Sequence, residues 1–186
     1  MKWFVLFFLV FALPCPSFAT DYRGSCTVVF RGSSTLHDFT GNGRCQPFTV
    51  EETDDIMHVP ALNVAVSGME TGNDKRDQQM REMFEAEQFP LITGTTGSIP
   101  LKDFRMAQAA GSGGPEELEM QLQIRDITKP VTAKVQNLVM TASKITADLN
   151  FSLSLADYQL KPPSVLGIIR VGDQVNVSVS FVLEPQ

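Results

Sequence analysis

Ile145-Thr146-Ala147-Asp148-Leu149-Asn150-Phe151-Ser152-Leu153-Ser154-Leu155 is the stretch that decides the fold class. Every odd position is apolar, and the even positions are Thr, Ala-flanked Asp, Asn and Ser. A helix would scatter these side chains around its circumference. A strand puts successive side chains on opposite faces, so this segment has one dry face and one wet face. The same period recurs in residues 118–125, with the even positions apolar, and in residues 175–181, with the odd positions apolar. Repeated one-sided alternation is the pattern of an antiparallel sheet wetted on one side, and segments this long suit a closed barrel or a sandwich.

Other segments fit the same reading. Residues 26–31 form a short strand rich in Val and Phe. Residues 39–50 form a second, interrupted by Gly41 and Gly43, which predict a bulge or sharp bend. Residues 57–67 form a third, with Leu62, Val64 and Val66 on one face. Residues 91–99 and 131–140 extend the sheet, and Gly172-Asp173 predicts a two-residue hairpin turn. One helix interrupts the strands. Asn73 or Asp74 can cap it, residues 75–87 are helix-forming, and Met80, Met83 and Phe84 share a face that flanks or plugs one end of a barrel. The charged residues Lys75, Arg76, Arg81, Glu82, Glu85 and Glu87 predict a solvated opposite face, with the alternative that Arg76 and Asp77 fix the helix to the barrel rim. Residues 111–115 form a Gly-rich connection with neither the lysine nor the strand-to-helix context of a phosphate loop, and residues 158–165 form a second long loop.

The N-terminus reads as an export signal. Lys2 precedes an apolar run over residues 3–13 that is too short to span a bilayer, and Ser17 and Ala19 are small residues ahead of a cut after Ala19. Cys15 leaves with it. The mature product over residues 20–186 then counts 186 − 19 = 167 residues, enough for a single domain, with no later segment suited to a membrane span. Its charge is 14 − 21 = −7, which argues against nucleic acid and against anionic headgroups as electrostatic partners. Cys26 and Cys45 remain, and in an oxidising compartment such a pair forms one structural disulfide, worth about 3 kcal/mol on the loop-entropy account.

Catalytic and metal chemistry find little support. The two histidines, His37 and His58, do not assemble a three-ligand metal site, and no cofactor motif is present. Ser34, His37 and Asp38 lie too close along one segment for triad geometry and lack a nucleophile elbow, so His37 and Asp38 are expected to stabilise the turn between the first two strands. His58 is expected at a strand or surface position. Asn176-Val177-Ser178 fits a glycosylation sequon, but inside an alternating strand it is incidental.

Four strings, in this order, resemble the YceI-like family of exported proteins: Ser33-Ser34-Thr35-Leu36-His37-Asp38-Phe39-Thr40-Gly41; Arg76-Asp77, Met80-Arg81 and Phe89-Pro90-Leu91-Ile92 around the helix; Ile124-Arg125-Asp126-Ile127-Thr128-Lys129-Pro130-Val131; and Ile169-Arg170-Val171-Gly172-Asp173-Gln174-Val175. The resemblance implies an all-β, antiparallel, lipocalin-like closed barrel of about eight strands with one short α-helix. It also implies a hydrophobic channel that binds a polyisoprenoid or another long amphiphile in the bacterial periplasm. The Cys26–Cys45 pair and the glycines at 111–114 depart from that pattern.

On this basis the chain is expected to be a periplasmic or secreted binding protein, monomeric or homodimeric, and not an enzyme. The inward-facing residues expected to line its channel are Phe30, Leu62, Val64, Leu122, Ile124, Leu149, Phe151 and Val179, with Met83 and Phe84 from the helix. A polar head would be read at the mouth by His37, Asp38, Arg170 or Asp173. The competing reading is a filled barrel whose loops dock an envelope protein, since a barrel core is apolar whether or not it holds a ligand. A barrel enzyme would need ionisable groups on the inward faces, and the clear strands carry almost none.

Overall fold

The computed structural model describes residues 19–35, 37–109, 116–162 and 171–186. Along the chain come β1 (Thr20–Ser34), β2 (Phe39–Arg44), β3 (Phe48–Thr53), β4 (Ile56–His58) and β5 (Leu62–Ala65). Next are α1 (Asp74–Met83), β6 (Leu91–Thr96), β7 (Ile99–Pro100) and α2 (Leu101–Ala109). The chain ends with β8 (Glu117–Ile124), β9 (Ile127–Met140), β10 (Ile145–Ser154) and β11 (Val171–Pro185).

All of these strands join one antiparallel sheet in the order β5-β6-β8-β9-β10-β11-β1-β3-β4-β7, and β2 pairs with β1 beside β3. The long strand β1 serves two neighbours: Thr20 to Gly24 pair with β3, and Thr27 to Gly32 pair with β2. The sheet curls strongly, as a half-barrel. Isolated bridges Asn42↔Glu70 and Cys45↔Val64 bring the far side of β2 against the β5 region. Asn42 and Glu70 exchange backbone hydrogen bonds at 2.7 and 2.9 Å, and Gln46 N donates to Asn63 O at 2.8 Å. The Cys26–Cys45 disulfide lies at this junction, with Cα atoms 5.2 Å apart.

The architecture is all-β and antiparallel, but it has eleven strands and two α-helices among the described residues where about eight and one were expected. The surplus strands come from splitting. Residues 39–50 break at Cys45–Pro47 into β2 and β3, and residues 57–67 resolve into β4 and β5 around Pro60. The bulge expected at Gly41 and Gly43 is absent, because β2 pairs with β1 in unbroken register from Thr27↔Arg44 to Gly32↔Phe39. Gly41 is there for a different reason. A Cβ on Gly41 would collide with the Phe30 ring directly across the ladder, and Gly24 and Gly32 bear the same relation to Phe48 and Phe39. Each phenyl ring lies over a glycine and covers its backbone.

The hairpin turn expected at Gly172-Asp173 is also absent. Both residues lie within β11, whose pairing runs from Ser34↔Val171 to Tyr22↔Pro185 on β1 and from Gln174 onward on β10. The register on β1 shifts between Gly32↔Val175 and Ser34↔Val171, so the two residues form an irregularity within the strand in place of a turn. The signal segment over residues 1–18, the glycines at 111–114, the end of the 158–165 loop and Arg170 fall outside the described residues.

Helix α1 begins where expected, with Asn73 Oδ1 accepting from Arg76 N at 3.0 Å. It ends at Met83, earlier than Glu87, because Glu85 takes a positive φ of 53° and turns the chain toward Pro90. Met80 and Phe84 are buried. They pack in a cluster with Phe30, Val66, Tyr158, Leu160 and Val175 at one end of the sheet. Helix α2 belongs to the other end, where Leu101 packs with Val50, Met57, Ile145 and Leu183. It is anchored by Leu101 N donating to Asp55 O at 2.7 Å and by Arg105, which pairs with Glu52 and, at 2.8 Å, with Asp55. Tyr22 OH donates to the second oxygen of Glu52 at 2.8 Å.

Candidate functional site

The dry faces of the strands do not meet in a filled core. They surround a cavity of about 560 Å³. Its walls are the alternating residues read from the sequence. Leu118, Met120, Leu122 and Ile124 come from β8, Ala147, Leu149, Phe151 and Leu153 from β10, and Val175, Val177, Val179 and Phe181 from β11. All ten residues expected to line a channel stand around this one space: Phe30 from β1, Leu62 and Val64 from β5, Met83 and the C-cap Phe84 from α1, and Leu122, Ile124, Leu149, Phe151 and Val179 from the long strands. The lining continues past them. Val50, Met57, Leu101 and Phe104 extend the cavity toward α2, and nothing in their short elements had marked them.

Polarity is confined. Apart from Thr95 and Thr96 on β6, the polar lining residues come from two neighbouring segments: Ser34 at the end of β1 with His37 after it, and Thr71 and Asn73 before α1 with Lys75, Arg76 and Gln79 on it. The Arg76 guanidinium lies 5.2 Å from the Phe39 ring centre, which joins the two segments. Arg76 Nε donates to Thr71 Oγ1 at 2.7 Å and Nη2 to Thr71 O at 2.8 Å. Asp77 is buried and accepts from Thr71 N at 2.8 Å and from the Thr71 hydroxyl. Arg76 and Asp77 therefore clamp the chain entering α1 from both sides. Among the described residues no Asp or Glu lines the cavity.

The expected mouth residues divide. His37 lines the cavity; Asp38 and Asp173 do not. The turn after β1 is held by Ser34 rather than by imidazole or carboxylate: its hydroxyl donates to His37 O at 2.7 Å. Asp173 accepts from Ala156 N at 2.8 Å. Hydrogen bonds from Ser154 and Ala156 hold its carboxyl below the usual range. His58 is exposed on β4, with Nδ1 3.2 Å from Ser98 Oγ. The helix face expected to be solvated is divided too: half-buried Arg76 and exposed Lys75 border the cavity. For Lys75, alternation with acidic neighbours concealed this.

A second polar cluster secures the α1 end from outside. Arg125, the first residue of the two-residue β8–β9 turn, pairs with Glu85 and donates through Nη2 to Tyr158 O at 3.1 Å and Gln159 O at 3.2 Å. Glu85, Arg125 and Gln159 all have positive φ, at 53°, 55° and 52°. One guanidinium thus joins three bends that L-residues otherwise disfavour. Tyr158 beneath it is buried, and burial pushes its hydroxyl pKa up, reinforced by Asp157. Burial raises Tyr22 as well, followed by its hydrogen bond to Glu52.

A curled antiparallel sheet with a dry interior and a helix at each end defines a class of hollow, single-sheet β proteins. Within that class the chain belongs to the YceI-like family: the YceI-like domain matches residues 20–183. No curated protein sequence is significantly similar to it. Among solved structures, a polyisoprenoid-binding domain from Saccharophagus degradans implicated in plant cell wall breakdown is similar at 17% identity with a TM-score of 0.62, covering 89% of this chain and 98% of its own. BcnA from Burkholderia cenocepacia is similar at 13% identity with a TM-score of 0.59, covering 84% of this chain and 95% of its own. At these identities the likeness is one of fold.

Proposed function

We propose that the protein is an exported binding protein, residues 20–186 after cleavage near Ala19, that holds a polyisoprenoid or fatty-chain amphiphile in a closed channel. The cavity carries this reading: about 560 Å³, inside the 300–1,000 Å³ range of small-molecule sites, and walled by hydrocarbon over most of its length. On β11 Val171 lines the cavity, and the unbroken alternating part of the lining runs from Val175 to Leu183. That is ~27 Å of strand at 3.4 Å per residue, or ~20 Å along a barrel axis at the usual tilt. A long, narrow, dry slot suits an extended chain, and each methylene entering it would gain roughly 0.8 kcal/mol. The bridges between β2 and the β5 region support closure of the sheet into a channel. The disulfide fits the periplasm, where YceI-like proteins in general reside. Membership of that family and the polyisoprenoid-binding neighbour favour binding over catalysis.

The test is to purify the exported protein under mild conditions and analyse an organic extract by mass spectrometry. A stoichiometric isoprenoid or acyl lipid is the expected result. A folded protein that yields no lipid, and whose melting temperature added lipids leave unchanged, would overturn the reading in favour of a filled module that docks a protein.

A further inference from the structure

Resting on the reading that the cavity holds an amphiphile, we infer that its polar end selects an anionic head, a phosphate monoester or a carboxylate, over a neutral one. The observation is a mismatch between the protein and its cavity. The chain carries 21 acidic against 15 basic residues, yet among the described residues no acid lines the cavity and two cations do. Those cations, Lys75 and Arg76, stand side by side on the first turn of α1, at the same end as His37, Ser34 and Asn73.

The acids nearest in sequence are directed elsewhere. The buried Asp77 carboxylate accepts from the Thr71 amide and hydroxyl, and Asp74 is exposed outside the lining. Arg76 spends Nε and Nη2 on Thr71, and Nη1 makes no hydrogen bond among the described residues. Lys75 forms no ion pair among them either. An anion placed at this end would meet two donors of opposite charge with Ser34 and Asn73 as flanking polar groups, while its tail lay against Phe30, Met80 and Met83. A hydroxyl head in the same position would gain hydrogen bonds but no charge pairing. Both heads would meet ionised donors, and only the anion adds Coulombic attraction between opposite full charges.

Calorimetric titration of the full chain with two matched pairs, farnesyl phosphate against farnesol and palmitate against hexadecanol, tests this and separates the two head chemistries. Each favoured anion is expected to bind about tenfold more tightly than its own alcohol. Lys75→Glu should erase that ratio by weakening the anion far more than the alcohol, and a cooperative melt at an unchanged temperature without ligand shows that the variant is folded. Salt near ~1 M, where the screening length is ~3 Å, should weaken the anion and spare the alcohol. Equal binding of anion and alcohol in the unaltered protein, or an unchanged ratio in Lys75→Glu, overturns the head preference while leaving the channel intact. Failure of all four probes to bind the folded protein would instead sink the amphiphile reading and this inference with it.

Discussion

At the scale of single residues, Arg125 has the widest influence. Its side chain is 13% exposed and its partner Glu85 is 49% exposed, so most of its worth lies in the carbonyl contacts to Tyr158 and Gln159 and in holding three positive-φ bends together. Arg125→Met is expected to cost about 2 kcal/mol, read from urea unfolding. Arg125→Lys should restore little, since a single ammonium cannot reach a carboxylate and two carbonyls in one plane. Gly41→Ala should cost about 1–3 kcal/mol, because the new methyl must displace the Phe30 ring that forms part of the cavity wall. Both tyrosines of the chain have hydroxyl pKa values raised above 10.0, chiefly by burial. The unfolded chain therefore releases those protons first as pH rises. Stability should be at its full value below about pH 10 and fall from there toward the folded-state pKa values. Ultraviolet phenolate titration checks this: the midpoint should lie above 10 in the folded protein and return toward 10 in urea. None of these roles could be read from the residues themselves. Arg125 and Glu85 are 40 positions apart, and a glycine in a strand looks the same whether it marks a bulge or a ring lying across it.

At the scale of elements, legibility followed wetness. β8, β10 and β11 announce themselves because one face is dry and the other is solvated, with outward ladders such as Asn150 Nδ2 to Gln136 at 3.2 Å and Ser178 Oγ to Asn150 at 2.7 Å. β4 and β7 span only three and two residues, too few for a period to show. Helix α2 escaped notice because it turns little more than Leu101 and Phe104 inward, and its anchor, Arg105, depends on acids brought near by β3 and the β3–β4 turn. The cysteine pair was legible as a disulfide, but its position was not. It crosses from β1 to the residue after β2, beside the isolated bridge from Cys45 to Val64 of β5. Replacing Cys26 and Cys45 together by Ala should cost about 3 kcal/mol and lower the melting temperature by roughly 6–12 °C in calorimetry. Because Cys45 also lines the cavity, ligand affinity should weaken in the same variant.

At the scale of the whole molecule, alternation alone could not distinguish a packed interior from an open one, since the residue types are the same and only the curvature of the sheet decides how far apart the walls stand. The ten residues named from the sequence stand around one space, but the space itself, and the cations at its polar end, emerge only in three dimensions. A bound amphiphile at a hundred times its Kd should add ~2.7 kcal/mol of stability, a rise of about 5–11 °C for a domain of this size. The matching control is Phe151→Asp. It should abolish that rise, and it counts as support only if the variant still melts cooperatively.

The hollow interior has a consequence for the lifetime of the protein. Wall residues facing an unfilled void have no partner atoms on that side, so an empty molecule forfeits contacts that a loaded one makes. If digestion proceeds through the opened chain, it removes empty copies first. Cargo would then set how long each copy survives, and the steady-state amount of the protein would report the supply of its ligand without any sensor or transcriptional control.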